Sequence, residues 1–322
     1  MEKVAITDYT FDTLEIEKSI LEPLGCRIVE QRSGKDIQEL IALVKDADYV
    51  ITQFAPVSSD VVAAMQRCRL IVRYGIGVDN VDLAAAAARK IPVCNVPDFC
   101  TDEVADHAVA MILEMTRRIT ENGVKVRAGG WGLAVPLESM RALKDMAVGV
   151  VGFGRIGREV SHRLKPFKCR ILACDPAVPA PDIRAMGFFP VSLDELLAQS
   201  DLITLHCPST EATRQMINAR SIAKMKRGAL LVNASRGTLV RTDDLIAALR
   251  SGAVGAAAMD VTDPEPISPD SPLVKMPNVI INSHIASMSP AAMKKLRTDA
   301  ANTVAIAVRG GKLPHVVNGV NS

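Results

Sequence analysis

The sequence predicts an α/β protein whose parallel strands form doubly wound sheets, and three observations carry this prediction. First, an apolar run at 147–151 leads directly into a GxGxxG motif at 152–157, after which a helical pattern begins. Second, further short apolar runs alternate with helical stretches up to residue 281. Third, the first 97 residues show a similar alternation of their own. Strands that alternate with helices are typical of parallel sheets, so we expect two α/β units.

The glycine motif predicts a Rossmann-type dinucleotide-binding domain. Gly152 would allow a sharp turn, Gly154 would let a pyrophosphate approach bare backbone, and Gly157 would let the helix pack closely on the strand. Unpaired N–H groups at the start of the helix would bind the phosphates. A glycine motif on its own also occurs by chance or for packing alone, so the prediction needs further support.

Asp175 supplies that support and indicates which dinucleotide is bound. It ends the next apolar run, 170–174, and lies 18 positions beyond Gly157. An acid at this separation accepts hydrogen bonds from ribose hydroxyls and repels a 2′-phosphate, which favours NAD over NADP. The alternative interpretation is an ordinary solvated aspartate at a strand end before Pro176.

The other elements follow, in chain order, from apolar runs and helical periodicity. We expect strands at 4–6, 27–29, 49–51, 70–72, 92–94, 201–205, 229–233, 253–259 and 279–281. Helices are expected at 12–21, 36–44, 61–65, 82–89, 102–126 and 243–250. A last helix begins at Ser289-Pro290, with serine as its cap, and ends before Gly310. If that helix returns to the N-terminal unit, one domain comprises residues 1–98 plus 288–322 and surrounds a domain of residues 99–287.

Composition argues against several classes of protein. The chain has 322 residues, of which 48% are hydrophobic and 23% charged, as in ordinary globular proteins. Its 38 basic and 36 acidic residues are mixed, so we expect neither a nucleic-acid nor a membrane partner. The first residues predict a strand rather than a signal peptide. Seven cysteines without a CxxC pair indicate reduced thiols in a cytoplasmic protein, with no metal expected.

Three charged side chains that follow strands in the second half suit hydride-transfer chemistry. Reduction of a ketone needs a proton for the oxygen and a positive charge beside the developing alkoxide. Arg236 can bind a carboxylate and polarise a carbonyl, His284 can donate a proton, and Glu265 can orient that histidine. Each also has an ordinary interpretation: a surface cation, a structural histidine and a loop acid.

A second glycine turn, at 75–77, follows the strand expected at 70–72. Its backbone N–H groups lie near the start of the helix at Asp82, where they would suit a substrate carboxylate. As an isolated pattern it is more often a plain turn. Cys207 is the one cysteine expected at the cofactor face, because it follows the strand at 201–205 and precedes Pro208.

Together these motifs resemble the D-isomer-specific 2-hydroxyacid dehydrogenase family over nearly the whole chain. In the family's order they are RYGIGVDNVD, VCNVP followed by TDEVADHAVA, VGFGRIG, LHCPST, LVNASRGTLV, MDVTDPEP and SHIAS. The resemblance implies that Arg236 binds and polarises a 2-keto acid while His284 acts as acid and base with Glu265 as its partner. It also implies a flavodoxin-like substrate domain and a homodimer formed through the dinucleotide domain.

The resemblance further implies the residues that contact NADH and the substrate. Asp175 would bind the adenosine ribose, and Asp260 would hold the nicotinamide amide. The implied NAD contacts are Gly152, Gly154, Arg155, Ile156, Gly157, Asp175, Cys207, Pro208, Thr213, Ala234, Ser235, Arg236, Asp260 and His284. The implied substrate contacts are Tyr74, Gly75, Ile76, Gly77, Arg236 and His284.

Several substrates and one other class of function stay open. No lysine or arginine lies between Lys45 and Arg67, so the loop at 52–57 offers no cation for a phosphate, which favours hydroxypyruvate or glyoxylate. D-3-phosphoglycerate is the alternative, because Arg73 or a partner subunit can supply a cation, although the chain is short for a C-terminal regulatory domain. Glu265 disfavours formate dehydrogenase, which has a glutamine in that role. An NADH-sensing corepressor is the alternative of another class, since RYGIGVDNVD resembles those proteins as well.

Overall fold

The computed structural model describes residues 1–34 and 36–320, and the chain divides into two compact units. The first unit is Met1–Phe99 with Ser289–Ser322, and the second is Cys100–Met288. The predicted domain boundaries fall one residue before each of these junctions.

The first unit is built on a five-stranded parallel sheet. Its strands are β1 (Glu2–Ile6), β2 (Cys26–Glu30), β3 (Tyr49–Thr52), β4 (Leu70–Arg73) and β5 (Val93–Cys94), and the helices between them are α1 (Glu15–Leu21), α2 (Ile37–Val44), α3 (Ser59–Ala64) and α4 (Leu83–Ala88). The strand order β2-β1-β3-β4-β5 is the flavodoxin-like order. Two helices begin at aspartate caps, because the carboxylates of Asp36 and Asp82 accept hydrogen bonds from first-turn amides.

The second unit is built on a seven-stranded parallel sheet. Its elements are α5 (Thr101–Arg117), α6 (Ile119–Arg127), β6 (Ala147–Val151), α7 (Arg155–Leu164), β7 (Arg170–Cys174), α8 (Ala180–Ala185), β8 (Phe189–Pro190), α9 (Leu193–Gln199), β9 (Leu202–Leu205), α10 (Ala219–Ile222), β10 (Ala229–Asn233), α11 (Thr242–Ser251), β11 (Val254–Met259), α12 (Pro272–Lys275) and β12 (Val279–Ile281). The strand order is β12-β11-β10-β9-β6-β7-β8. From the junction of β6 and β9, successive strands are added outward on one side up to β8 and on the other side up to β12, so the strand order reverses there. Ligands bind doubly wound sheets beyond the carboxyl ends of the strands at such a reversal. The predicted fold class is therefore confirmed.

Alternate residues of this sheet pack into two separate cores. Val148 and Val150 of β6 pack with buried side chains of α5 and α7, whereas Val151 packs on the opposite face with those of α9 and α11. Helices thus cover both faces of the sheet, which explains why its strands are apolar nearly throughout. Sequence periodicity did not predict the short strand β8 or the helices α8, α9, α10 and α12.

The prediction of a single helix at 102–126 is wrong, because the structure has two helices there. Helix α5 ends at Arg117, and Arg118 takes the left-handed conformation with φ 54° before α6 begins at Ile119. The buried apolar face of α5 does not continue into α6, because Ile119 and Val124 are exposed. Glu114 closes the break by accepting a hydrogen bond from the amide of Thr120 at 2.9 Å.

The last helix, α13 (Pro290–Val308), belongs to the first unit. Ser289 caps it, as predicted, by accepting a hydrogen bond from the amide of Ala292 at 3.0 Å. The chain beyond α13 then lies along the edge of the five-stranded sheet, where Val316 pairs with Cys94 in an antiparallel bridge. None of the helices in the described part of the chain has the length and hydrophobicity needed to cross a bilayer.

Candidate active site

The glycine turn after β6 gives each of its three glycines a distinct physical task. Gly152 has φ +90°, and a Cβ there would lie 2.6 Å from the backbone of His206 and Cys207. A Cβ on Gly157 would lie 2.0 Å from the carbonyl oxygen of Gly152. Gly154, in contrast, is exposed, and a Cβ there would meet nothing within 4 Å. Two glycines are therefore required by the fold, while the third leaves bare backbone in open space.

Helix α7 starts directly at this turn. Gly154 is its N-cap residue and has no side chain to bind the first amides of the helix. The N-terminus of a helix favours negative charge, and its unpaired N–H groups bind phosphate oxygens. The turn therefore fits the pyrophosphate of a dinucleotide.

Asp175, at the end of β7, lies beside the same turn. Its Oδ2 accepts a hydrogen bond from the amide of Phe153 at 2.7 Å, and its Oδ1 accepts one from Ala177 at 2.8 Å. Each carboxylate oxygen can accept more than one hydrogen bond, so the group can still accept from ribose hydroxyls. The structure thus brings Asp175 and the glycine turn together.

The segment after β9 reaches this region with its backbone rather than with the thiol of Cys207. That side chain is 8% exposed and contacts the sulfur of Met216 at 3.7 Å, and burial raises its pKa to about 11. The carbonyl of Cys207 accepts a hydrogen bond from Ser235 Oγ at 2.6 Å. Thr213 Oγ1 donates to the carbonyl of the exposed Pro208 at 2.6 Å, which fixes the shape of the loop.

Arg236 lies in a loop, 234–236, whose backbone is hydrogen-bonded to the side chain of the buried Asn233. The Asn233 side chain donates to the carbonyl of Arg236 at 2.8 Å and accepts from the amide of Ser235 at 3.1 Å. The Arg236 guanidinium donates to the carbonyl of Ser235 at 2.8 Å. A Cβ on Gly237 would lie 1.9 Å from the carbonyl oxygen of Thr262. The loops after β10 and β11 therefore pack against each other without space for a side chain.

His284 and Glu265 form a close pair after β12 and β11. The Nδ1–H of His284 donates to Glu265 Oε1 at 2.6 Å. The backbone of His284 has φ 58°, which is uncommon for a residue other than glycine and costs free energy. An oriented imidazole beside a carboxylate can donate and accept a proton, as general acid–base chemistry requires.

Asp260 holds the loop that carries His284. It is 1% exposed, and its two oxygens accept hydrogen bonds from the amides of Ile285 at 3.0 Å and Ala286 at 2.9 Å. His107 Nε2 lies 3.6 Å from the same carboxylate and 2.9 Å from the side chain of Asn282. The carboxylate predicted to hold the nicotinamide amide thus also fixes the backbone beside His284.

Sequence reasoning missed three residues of this region: Asn233, His107 and Asn282. An asparagine at a strand end before a short loop is a signal for side-chain hydrogen bonds to the backbone, so Asn233 was open to prediction. His107 and Asn282 are separated by 175 positions, and no local pattern connects them.

The turn at 74–77 lies in the first unit. The carbonyls of Gly75 and Ile76 accept hydrogen bonds from the amide of Val96 at 3.0 Å and the side chain of Asn95 at 2.6 Å. The amides of Ile76 and Gly77 have no hydrogen-bond acceptor within the described ranges. Tyr74 differs from the expectation for a substrate contact, because its side chain is 1% exposed.

Comparison with known proteins identifies the family. The sequence profile of the "D-isomer specific 2-hydroxyacid dehydrogenase, NAD binding domain" matches residues 109–286. The chain is 36% identical to D-3-phosphoglycerate dehydrogenase of Mycobacterium leprae over 94% of its length, but it spans only 57% of that relative. It is 34% identical to hydroxypyruvate reductase of Blautia hydrogenotrophica over 99% of this chain and the whole of the relative.

A solved structure agrees with this result. The D-lactate dehydrogenase of Aquifex aeolicus, complexed with NAD and lactic acid, superposes with a TM-score of 0.86 at 28% identity, covering 96% of each chain. The fold and the site define an α/β protein with a dinucleotide-binding domain. The chain belongs to the D-isomer-specific 2-hydroxyacid dehydrogenase family, and its cofactor is NAD.

Proposed function

We propose that this chain is an NAD-dependent oxidoreductase that interconverts a small 2-keto acid and its D-2-hydroxy acid. The observation that carries the proposal is the 2.6 Å hydrogen bond between His284 and Glu265 at the carboxyl edge of the sheet that holds the NAD-binding turn. That edge also carries Arg236, which follows β10. One acid–base pair and one cation are the groups that reduction of a ketone requires.

In the proposed reaction these residues have separate tasks. NADH, when bound, supplies the hydride to the carbonyl carbon of the keto acid. His284 donates a proton from Nε2 to the carbonyl oxygen. Its Nδ1–H remains hydrogen-bonded to the Glu265 carboxylate, which fixes the tautomer and stabilises the charged ring. Arg236 stabilises the negative charge that develops on the oxygen. The products are the hydroxy acid and NAD⁺, and in the reverse direction His284 accepts the proton.

We assign the turn at 75–77 to the carboxylate of the substrate. Support comes from its hydrogen bonds, because the carbonyls of Gly75 and Ile76 are held by Val96 and Asn95. Successive amides without carbonyl acceptors form a concave site that suits an anion.

An unphosphorylated substrate such as hydroxypyruvate or glyoxylate is the proposed choice. The loop after β3 lacks lysine and arginine, and the carboxylate of Asp8 already occupies two of its amides, those of Gln53 at 2.9 Å and Phe54 at 2.6 Å. A phosphate would have to displace that carboxylate or find a cation elsewhere. Arg73, whose guanidinium lies 5.8 Å from the ring centre of Phe54, keeps D-3-phosphoglycerate as the alternative.

The chain is further proposed to act as a homodimer in the cytoplasm. Six large apolar side chains between residues 119 and 137 are exposed, and these are Ile119, Val124, Val126, Trp131, Leu133 and Leu137. Exposed apolar side chains that lie close together mark interaction sites on globular proteins, and here all six fall within 19 consecutive residues. The cytoplasmic location rests on the odd number of cysteines and the lack of a CxxC pair.

Turnover with a panel of 2-keto acids tests the proposal. Glyoxylate, hydroxypyruvate, pyruvate and 3-phosphohydroxypyruvate are each incubated with NADH, and NADH oxidation is followed. Arg236→Ala should lower kcat/KM by about 100-fold or more while NADH still binds, because a cation aimed at the developing charge is lost. The control is Arg241→Ala, which removes an exposed arginine whose guanidinium lies 3.8 Å from the carboxylate of Asp244, and it should leave turnover unchanged.

The outcomes separate the candidates. Preference for 3-phosphohydroxypyruvate would replace the proposed substrate by the phosphorylated one. Absence of turnover with every keto acid, alongside normal NADH binding, would contradict the enzymatic proposal and favour an NADH-sensing role.

A further inference from the structure

A buried charged cluster lies next to the turn at 74–77. We call it the Glu17 cluster, and its members are Glu17, Tyr74 and Arg297. Glu17 is fully buried in the first unit. Its Oε1 accepts hydrogen bonds from the Tyr74 hydroxyl at 3.0 Å and from Arg297 Nε at 2.8 Å, and its Oε2 accepts from Arg297 Nη2 at 2.6 Å.

The cluster joins three segments that are far apart in sequence. Glu17 is in α1, Arg297 is in α13, and Tyr74 directly follows β4. Arg297 also donates to the carbonyl of Thr13 at 2.6 Å. A carboxylate removed from water is costly unless its oxygens are hydrogen-bonded and its charge is paired, and here both conditions are met.

Aromatic contacts hold the Tyr74 ring in addition to the hydroxyl bond. The ring of Phe11 packs edge-on against Tyr74 with centroids 5.4 Å apart, and the Arg297 guanidinium lies 4.7 Å from the centre of the Phe11 ring. The amide of Tyr74 donates to the carbonyl of Thr52 at 2.8 Å. Tyr74 is thus fixed at its hydroxyl, at its ring and at its backbone.

These contacts fix the position of Tyr74, which is the first residue of the turn proposed to bind the substrate carboxylate. The turn continues from Tyr74 into Gly75 and Ile76, whose carbonyls are held by Val96 and Asn95. We propose that the Glu17 cluster positions the amides of Ile76 and Gly77 for the substrate carboxylate, so that Tyr74 and Arg297 are positioning residues for substrate binding. This inference rests on the proposed function, which gives the turn its ligand.

Tyr74→Phe tests the inference with a minimal change. The ring and its contacts stay, Glu17 keeps Arg297, and only one hydrogen bond is removed. The expected result is a rise in KM for the keto acid of about fivefold, the range expected for one lost hydrogen bond, with kcat within about twofold of the wild type. NADH binding should not change, because the turn of the other unit binds the cofactor.

Tyr49→Phe is the matched control. Tyr49 lies in β3 of the same sheet, is also fully buried, and also donates its hydroxyl to a glutamate, Glu2, at 3.1 Å. The substitution removes the same group from a position outside the turn. It should leave KM for the keto acid unchanged.

Amide hydrogen exchange of residues 75–78 provides a readout that does not depend on turnover. Exchange in this turn should accelerate in Tyr74→Phe and not in Tyr49→Phe. Unchanged exchange and unchanged KM in Tyr74→Phe would overturn the inference, as would an equal rise of KM in both variants. Lack of keto-acid turnover in the wild type would instead overturn the proposed function, while exchange would still show whether the cluster positions the turn.

Discussion

At the scale of single residues, burial decides which histidine can act in proton transfer. His284 is paired with a carboxylate in a partly exposed loop. His206, at the end of β9, bonds to the Thr204 hydroxyl at 2.8 Å, and burial lowers its pKa from 6.5 to about 4. His206 is therefore neutral at physiological pH and serves the fold rather than proton transfer.

This burial predicts how acid destabilises the protein. Between pH 6.5 and about 4 the unfolded chain binds a proton at His206 that the folded chain does not, so stability rises with pH across this window and is lost as pH falls. At about 1.4 kcal/mol per pKa unit the loss reaches about 3 kcal/mol. Urea unfolding at several pH values should show a shallower loss of stability in His206→Asn than in the wild type.

His315→Asn is the control for that experiment. His315 is exposed and has φ 52°, a conformation that asparagine tolerates well. The stability of His315→Asn should depend on pH in the same way as the stability of the wild type. An equal slope in His206→Asn and the wild type would show that another group carries the acid sensitivity.

At the scale of elements, the sequence predicted what local chemistry determines. Apolar runs identified most strands of both sheets, and the glycine motif identified the turn before α7, because that turn needs glycine for conformation and close packing. The helix break at Arg118 was not predicted, because the helical periodicity of the sequence continues through it. What changes at the break is burial, since Ile119 has no core to pack against and is exposed. The pairing of Asp175 with Phe153 and of Asp260 with the His284 loop depends on tertiary contacts, which no spacing reveals.

The glycine turn itself can be divided into a part that serves folding and a part that serves binding. Gly154→Ala should leave the thermal midpoint nearly unchanged, because its Cβ enters open space at φ −74°, but it should weaken NADH binding by covering bare backbone. Gly157→Ala should lower the thermal midpoint strongly, because its Cβ would lie 2.0 Å from a carbonyl oxygen. Thermal unfolding and NADH titration of both variants check this. Equal loss of stability in the two would contradict the division.

At the scale of the whole molecule, the proposed dimer depends on one segment of the second unit. The exposed apolar side chains between 119 and 137 include Trp131, which is 87% exposed, and Leu137, which is 67% exposed. An exposed tryptophan is costly in water and is typical of the central contacts of protein interfaces. The helix break at Arg118 directly precedes this segment, so the chain leaves the core of its unit where the exposed apolar side chains begin.

Trp131→Glu should therefore convert the proposed dimer to a monomer. A charge at the centre of an apolar interface cannot be desolvated without a partner, so association is lost while each chain stays folded. Light scattering should give twice the chain mass of 34.5 kDa for the wild type and that mass for the variant. Val274→Glu is the control, because Val274 is an exposed apolar residue of the same unit outside the segment, and it should stay dimeric. A wild-type monomer, or a Trp131→Glu dimer, would show that residues 119–137 have another role.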